Sequence, residues 1–150
     1  MSVAPDFKFW VPIVGILLPL IPQLLLAGPL DETEIRFGDG RYRVELAITA
    51  EQRRQGLMGR LELPRDRGML LVYPRTGDHR IWMKNMQFAL RVYWIDSDFR
   101  VIQALRLEPC RADPCTVYAA PSASRYVLEL GDHEHALQVG DRVGGISHLR

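Results

Sequence analysis

The chain has 150 residues, of which 47% are hydrophobic. That length supports one hydrophobic core and argues against two domains. The formal net charge is +1, from 19 basic and 18 acidic residues, and no run of like charge occurs along the chain. The sequence therefore argues against a nucleic-acid binder that depends on phosphate contacts, and we expect no nucleic-acid partner.

The N-terminal segment differs from the rest of the chain. Residues 9–30 carry no charged side chain and form an apolar run long enough to cross a bilayer. Ala27 and Gly28 are small enough to accept cleavage, but the match to the A-x-A pattern of export signals is poor. We expect residues 1–30 to be a signal peptide or an uncleaved membrane anchor. Either one places residues 31–150, as a single domain, outside the cytoplasm, periplasmic or secreted.

A β-hairpin is predicted directly after this segment. Residues 33–37 and 42–48 alternate between polar and apolar side chains, and Gly38-Asp-Gly40 lies between them. Two alternating segments joined by a glycine-rich turn are typical of a hairpin.

A short helix is predicted after the hairpin. Thr49 and Gln52 have the spacing of a capping box, and Glu51 in the first turn suits the helix dipole. We expect the helix to end at Met58, with Gly59 as its terminator.

The remaining segments predict short strands separated by turns. We expect strands at residues 68–73, 90–95, 99–105, 126–130 and 141–146, a turn at 76–78, and one helical turn within 132–137. Pro74 ends the first of these strands. Many short strands, one or two short helices and no alternation of strand with helix indicate a mainly β fold. The architectures that fit are an antiparallel β-sandwich or a partly closed barrel.

The stretch Trp82-Met-Lys-Asn85 is the leading candidate for a binding site. Two bulky apolar side chains precede a cation and an amide, in a chain with only three tryptophans. A strand that ends here buries its apolar residues and presents Lys84 and Asn85 to a surface or a cleft. Trp82 and Trp94 are expected in the core, although a tryptophan at a strand end can also line a cleft.

Lys84 has two interpretations. In the structural one it forms a salt bridge with the carboxylate of Glu51, Asp96 or Glu129. In the functional one it holds a ligand carboxylate or phosphate, or acts as a general acid if burial lowers its pKa. We therefore expect a small polar or anionic ligand, and the six candidates for binding it are Trp82, Lys84, Asn85, Glu51, Asp96 and Glu129.

The only cysteines are Cys110 and Cys115, in a proline-containing loop. Outside the cytoplasm such a pair predicts a disulfide. A metal-binding pair is the alternative, and so is a redox-active pair. The redox motif normally has two intervening residues and a helix N-terminus, and this pair has neither.

Metal binding remains a weaker alternative for the chain as a whole. Four methionines resemble the soft ligands that select copper(I), but each lies in an apolar segment where methionine commonly fills a core: Met58, Met69, Met83 and Met86. His133 and His135 flank Glu134: on a strand they would share a face and could chelate a metal, whereas on a helix they would point apart, and a solvated surface turn is the structural interpretation. We expect no cofactor and assign no metal site.

Several motifs occur in an order that resembles a known family. They are Glu51-x4-Gly-Leu-Met-x-Arg60, Gly68-Met-Leu70, Trp82-Met-Lys-Asn85, Cys110 with Cys115, Tyr126-Val-Leu-Glu129 and Gly140-Asp141. This order is similar to that of the domain of unknown function 192 family of bacteria and archaea, over residues 33–146. The resemblance implies a compact β-rich domain, commonly exported, with no established activity or cofactor.

One residue departs from the family pattern. The family usually has Leu-Asp after the Trp-Met-Lys-Asn motif, whereas here Arg91 follows Leu90. If the family's acid pairs with the motif lysine, either this chain has lost that role or Asp96 or Glu129 replaces it.

Three hypotheses about function follow. The first is a non-enzymatic binding or accessory module of the cell envelope, with Trp82, Lys84, Asn85 and Glu51 around its cleft. The second is a hydrolase or transferase acting on envelope material, and the third is a metal-binding protein. The sequence contains no nucleophile elbow, P-loop, His-Glu-x-x-His or dinucleotide fingerprint, which weighs against the common hydrolase and nucleotide-binding classes.

Overall fold

Most of the described chain consists of β-strands. The computed structural model describes residues 29–134 and 136–149, so residues 1–28 of the predicted signal or anchor and His135 lie outside the described residues. The elements in chain order are β1 (Glu32–Phe37), β2 (Gly40–Ala47), α1 (Ala50–Gln55), β3 (Arg67–Gly77), β4 (Ile81–Trp82), β5 (Leu90–Ile95), β6 (Val101–Leu107), β7 (Val117–Tyr118), β8 (Ser124–Gly131) and a 3-10 turn (Ser147–Leu149). No helix among these residues is long and apolar enough to span a membrane.

One six-stranded sheet carries the fold, in the order β1-β2-β3-β8-β5-β6, and β4 and β7 form a separate two-stranded sheet. The predicted mainly β class is confirmed, and the described residues form no closed barrel. The large sheet is mixed rather than wholly antiparallel, because β2 and β3 run parallel. Parallel neighbours need a crossover connection, and α1 lies in it. The sequence analysis did not predict this βαβ unit.

The hairpin and the start of the helix are confirmed. β1 and β2 pair antiparallel up to Phe37 and Gly40. At the start of α1 the Gln52 amide donates to Thr49 Oγ1 at 3.1 Å, and the Thr49 amide donates to Gln52 Oε1 at 2.9 Å. The local sequence pattern predicts the helix start correctly because Thr49 and Gln52 lie within one turn of helix.

The predicted end of the helix is wrong. α1 stops at Gln55, and Gly56 rather than Gly59 is the cap residue. Gly56 has φ +50°, a conformation that side chains disfavour, and its amide donates to Gln52 O at 2.8 Å. Both glycines suit a helix terminus, so composition alone did not distinguish them.

Strand β3 continues beyond its predicted end. It passes through Pro74 and includes Thr76 and Gly77, which were expected to form a turn. Its pairing with β8 is irregular between Val72 and Gly77. Proline lacks an amide donor and is tolerated where a ladder is already interrupted.

The C-terminal part contains less regular structure than predicted. Residues 141–146 form no strand and make only isolated bridges, from Gly144 to Arg36 and from Arg142 to Arg100. The described residues of 132–137 form no helix, and a single turn closes there through the Glu134 amide and the Gly131 carbonyl at 3.0 Å.

The two faces of the large sheet each pack a hydrophobic cluster. On central strand β8, Tyr126, Leu128 and Leu130 point into one cluster, and Val127 points into the other. Because side chains alternate along a strand, Glu129 lies on the Val127 face, beneath α1. The fold thus places a carboxyl group at a core position.

The family motif Gly68-Met-Leu70 has a steric basis at its glycine. A Cβ at Gly68 would lie 2.5 Å from Leu130 Cδ2 and 2.6 Å from the Glu129 carbonyl oxygen. We expect Gly68→Ala to lower the free energy of unfolding by about 2 kcal/mol or more, the usual cost of overpacking a core. Urea denaturation measures this. In the matched control Gly77→Ala, in the same strand, the nearest atom lies at 3.4 Å, and little change is expected. Equal stability of the two variants would contradict the steric account.

Candidate functional site

A cleft of about 310 Å³ lies between the C-terminal end of α1 and strand β4. We call it the Glu129 cleft, because Glu129 is one of its lining residues. Its walls are mainly apolar, from Leu57, Met58, Ile81, Met83, Met86 and Leu90. Polar and aromatic groups complete the lining, and these include Arg53, Arg54, Tyr73, Arg80 and Trp82. Concave apolar sites with a few convergent polar groups are the usual form of ligand sites in proteins.

Glu129 is the unusual group in this cleft. Its exposed fraction is 6%, and no described residue forms a hydrogen bond to its Oε2. Burial raises its pKa to about 7, and the positive charge of Arg60 opposes that rise. Near neutral pH the group is therefore divided between the neutral acid and the carboxylate. It can donate a proton or a hydrogen bond where an ordinary glutamate cannot.

The cation that faces Glu129 is already paired with another acid. Arg60 donates to both carboxylate oxygens of Glu45, at 2.6 and 2.7 Å. This pairing lowers the pKa of Glu45. Arg60 therefore acts on Glu129 only through longer-range charge, and burial remains the dominant effect on its pKa.

Gly56 lets the helix terminus pass close to the Glu129 carboxyl group. A Cβ at this position would lie 3.6 Å from Glu129 Oε2 and 4.0 Å from Oε1. The positive φ of Gly56 also disfavours any side chain there. The motif glycine thus ends α1 and leaves space over the acid. From the sequence, Gly56 was expected inside the helix and was otherwise noted as part of the family motif.

Three arginines line the cleft, and they differ in availability. Arg53 donates to the Val72 carbonyl at 2.9 Å and lies 4.9 Å from the Tyr73 ring centre, so it has a structural role. Arg80 pairs with Asp78 at 2.8 Å. Arg54 is exposed, and no side-chain hydrogen bond or ion pair of it occurs within the described chain. It is the cation most available to a ligand.

Trp82 lies at the cleft, and its predicted burial is wrong. The side chain is 45% exposed, whereas Trp94 is fully buried as expected. Ile81 and Met83 are both buried, and alternation along the strand then turns Trp82 outward. An apolar residue type is compatible with either outcome.

Lys84 pairs with a residue that the sequence analysis did not name. Its Nζ lies 2.9 and 3.1 Å from the carboxylate oxygens of Asp113, which is 29 residues away. The three carboxylates proposed as partners, those of Glu51, Asp96 and Glu129, are not its partners. Lys84 also does not line the Glu129 cleft, so the structure separates it from Glu129.

Asn85 has a backbone role. Its φ is +57°, in the left-handed region that asparagine tolerates better than most residues, and its carbonyl accepts from the Gly59 amide at 3.1 Å. Asn85 and Lys84 border a smaller hollow of about 170 Å³ beside the cysteines. The motif Trp82-Met-Lys-Asn85 therefore contributes to the lining of both the Glu129 cleft and this hollow.

The other predicted site residues lie outside the Glu129 cleft. Glu51 is exposed in the first turn of α1 and is not part of the lining. Asp96 accepts from the amides of Asp98 and Arg100, at 2.8 and 2.9 Å, and so stabilises the turn between β5 and β6. Of the six candidates, the structure brings only Trp82 and Glu129 together in this cleft.

Three further residues that were singled out from the sequence are Arg91, His133 and Met69. Arg91 donates to the Asp132 carbonyl at 3.0 Å and lies 3.5 Å from the Asp132 carboxylate, so its acidic partner is Asp132. His133 lies 2.9 Å from Glu134, while His135 lies outside the described residues. Met69 is buried in the core, as expected.

The predicted disulfide is present between Cys110 and Cys115. The two sulfurs and the Asp113 carboxylate lie within 4.8 Å of one another. Because the sulfurs are bonded to each other, this group offers no thiolate to a metal ion.

Comparisons with known proteins identify the family. The profile of domain of unknown function 192, described as Uncharacterized ACR, matches residues 33–145. The chain therefore belongs to this family, and the resemblance inferred from the motifs is confirmed. A comparison with curated proteins found no match.

Two solved structures are similar to this chain. One is a candidate transcription regulator from Sinorhizobium meliloti 1021, with a TM-score of 0.70 and 27% identity, covering 80% of this chain and 98% of that one. The other is a protein of unknown function from Novosphingobium aromaticivorans DSM 12444, with a TM-score of 0.66 and 26% identity, covering 79% of this chain and 88% of that one. These similarities support the fold and leave the activity open.

The raised pKa of Glu129 predicts a pH-dependent stability. Its folded value is about 7 and its ordinary value is 4.5, so the folded state retains the proton longer than the unfolded chain does. The stabilisation that this group provides is complete when the pH is below its ordinary pKa. It is lost as the pH rises through its folded pKa. We expect the free energy of unfolding to fall by roughly 2 to 3 kcal/mol between about pH 5 and about pH 8. Urea denaturation at the two pH values measures it.

Glu129→Gln tests the assignment to this group. The variant has no charge to bury, so its stability should lose this pH dependence and exceed that of the parent at the higher pH. Glu45→Gln is the matched control. It removes a partner of Arg60, lowers stability at both pH values and leaves the decline between them in place. An unchanged decline in Glu129→Gln would disprove the assignment.

Proposed function

We propose that this chain is a small-ligand binding module that acts outside the cytoplasm, and that its ligand occupies the Glu129 cleft. The observation that carries the proposal is a buried carboxyl group without a hydrogen-bond partner for Oε2, in the lining of an open apolar cleft. Leaving such a group unsatisfied destabilises the free protein. A ligand that hydrogen-bonds to Glu129 recovers that loss.

The charges around the cleft favour a neutral or anionic ligand. Among the described residues, three arginines line it, and Glu129 is the only acid in the lining. A cation would meet net repulsion at the mouth, where Arg54 is exposed and unpaired within the described chain. An anion is attracted there, and a neutral Glu129 can donate a hydrogen bond to an acceptor oxygen.

The walls define the rest of the ligand. Leu57, Ile81 and Leu90 offer aliphatic surface, and Trp82 offers an exposed ring at the edge. The small volume suits a compact molecule. The ligand class we propose is therefore a small organic acid with a short apolar body.

Copper(I) is the second candidate ligand, since three thioethers line this one cleft: those of Met58, Met83 and Met86. The arginines oppose a bare cation, which is why we rank it second. The hydrolase or transferase hypothesis receives less support, because Lys84 is paired with Asp113 and does not share the cleft with Glu129.

Two observations support a location outside the cytoplasm. The apolar run at residues 9–30 suits an export signal or an anchor, and the described domain contains a disulfide. As an expected outcome, the protein expressed from its full sequence in a bacterial host is found in the periplasm or on the outer face of the inner membrane. Protease digestion of spheroplasts measures this: a protein that resists until the cells are lysed would contradict the location.

Octanoate tests the ligand class, because it joins a carboxylate to a short apolar chain. We expect octanoate to raise the melting temperature and to bind more tightly at about pH 6 than at about pH 8. An ionised Glu129 repels the anion, and covering its charge with the alkyl chain costs free energy. Octylammonium, with the same chain and the opposite charge, should give a smaller effect. Isothermal titration measures both.

Two variants make this test specific to the cleft. Glu129→Gln imitates the neutral acid, so it should bind octanoate without the pH dependence. Arg54→Gln should weaken octanoate by at most roughly fivefold, the range of an exposed ion pair. Equal binding of octylammonium and octanoate, or tight copper(I) binding that Met83→Leu abolishes, would refute the organic-acid proposal.

A further inference from the structure

The disulfide lies directly against the Trp82-Met-Lys-Asn85 motif. We call residues 110–115 the disulfide loop. The Cys110 amide donates to the Met83 carbonyl at 3.0 Å, and Asp113 in the middle of the loop binds Lys84 Nζ at 2.9 and 3.1 Å. The loop therefore contacts two consecutive residues of the motif.

The same loop leads directly into the strand that pairs with Trp82. β7 begins two residues after Cys115, and Val117 pairs with Trp82. Within the described chain β7 is the sole strand partner of β4. Lys84 Nζ lies 5.8 Å from the centre of the Trp82 ring. Trp82 thus contacts a strand and a cation, and both of these adjoin the disulfide loop.

The disulfide is accessible to a reductant. Both cysteines are half-buried rather than enclosed, and the Asp113 side chain is 67% exposed. The bond closes a sequence separation of only 5 residues, so its effect on unfolded-chain entropy is smaller than that of a long loop. Its main effect is local, on the position of Asp113.

We propose that the Cys110–Cys115 disulfide is a redox-controlled restraint on the wall of the Glu129 cleft, and that Lys84 is a positioning residue that acts through Trp82. A dithiol reductant supplies two electrons and two protons; it becomes a disulfide, and Cys110 and Cys115 become thiols. The opened loop releases Lys84 from Asp113, β7 loosens from β4, and Trp82 leaves the wall. The consequence for ligand affinity rests on the proposed function, whereas the movement of Trp82 does not.

Acrylamide quenching of Trp82 fluorescence tests the restraint without any ligand. The full chain is used with Trp10→Phe, so that the remaining tryptophans are Trp82 and the buried Trp94. On reduction with dithiothreitol, the quenching constant should rise toward that of an exposed indole. The Cys110→Ser, Cys115→Ser double variant should begin at the high value and not respond to dithiothreitol.

Two further variants keep the disulfide and address the ion pair alone. Asp113→Asn and Lys84→Met should each raise the quenching constant in oxidised protein and weaken octanoate by roughly fivefold. Asp78→Asn, which removes the exposed partner of Arg80, is the control and should change neither Trp82 quenching nor its response to dithiothreitol.

The outcomes separate this inference from the proposed function. If quenching rises on reduction but octanoate binds neither form, the restraint holds and the organic-acid proposal fails. If circular dichroism shows that reduced protein remains folded with unchanged quenching, the restraint is refuted. If reduction unfolds the domain, the oxidised Asp113→Asn variant provides the test instead. An unchanged quenching constant in that variant would also refute the restraint.

Discussion

The burial of one carboxyl group, that of Glu129, is the constraint on which the site depends. β8 is flanked by β3 and β5, and both faces of the sheet are covered by hydrophobic clusters. Alternation along the strand turns Glu129 toward the α1 face, at a position where an aliphatic residue would complete the core. The result is a polar group within an apolar cleft. Burying it destabilises the protein when it is ionised, so the remaining core offsets that cost.

The parallel pairing of β2 with β3 creates the space over Glu129. It requires a crossover, and α1 in that crossover brings Arg54 and Gly56 to the sheet face that carries the acid. A plain hairpin at this point would place no helix terminus there. Two features therefore explain the glycine of this family motif: Gly56 ends the helix of the crossover, and it has no side chain that would fill the space over Glu129.

The sequence predicted the local features well and the long-range contacts poorly. Alternating residues predicted the β1–β2 hairpin, apolar segments between turns predicted most of the other strands, and the Thr49–Gln52 spacing predicted the helix start, because these signals lie within a few residues. Lys84 pairs with Asp113, which is 29 residues away and lies inside the disulfide loop, a contact that no local pattern indicates. Trp82 was expected in the core because apolar residues are usually buried, yet exposure follows from the alternation around it. Glu129 was identified as a candidate, but its burial depends on the strand order.

The signature motif Trp82-Met-Lys-Asn85 connects separate parts of the domain. Met83 accepts from Cys110, Lys84 binds Asp113, and the Asn85 carbonyl accepts from the loop after α1. Most of the motif is thus occupied in holding elements together. Trp82 and Met83 are the members that line the Glu129 cleft.

The most direct test of the account is the titration of the Glu129 carboxyl carbon by NMR, with and without octanoate. The signal is assigned through its loss in Glu129→Gln. The account predicts a midpoint near the folded pKa of about 7 in the free protein and a higher midpoint with octanoate, because a ligand that prefers the neutral acid must raise its pKa. A midpoint near the ordinary value of 4.5, or one that octanoate does not move, would contradict it.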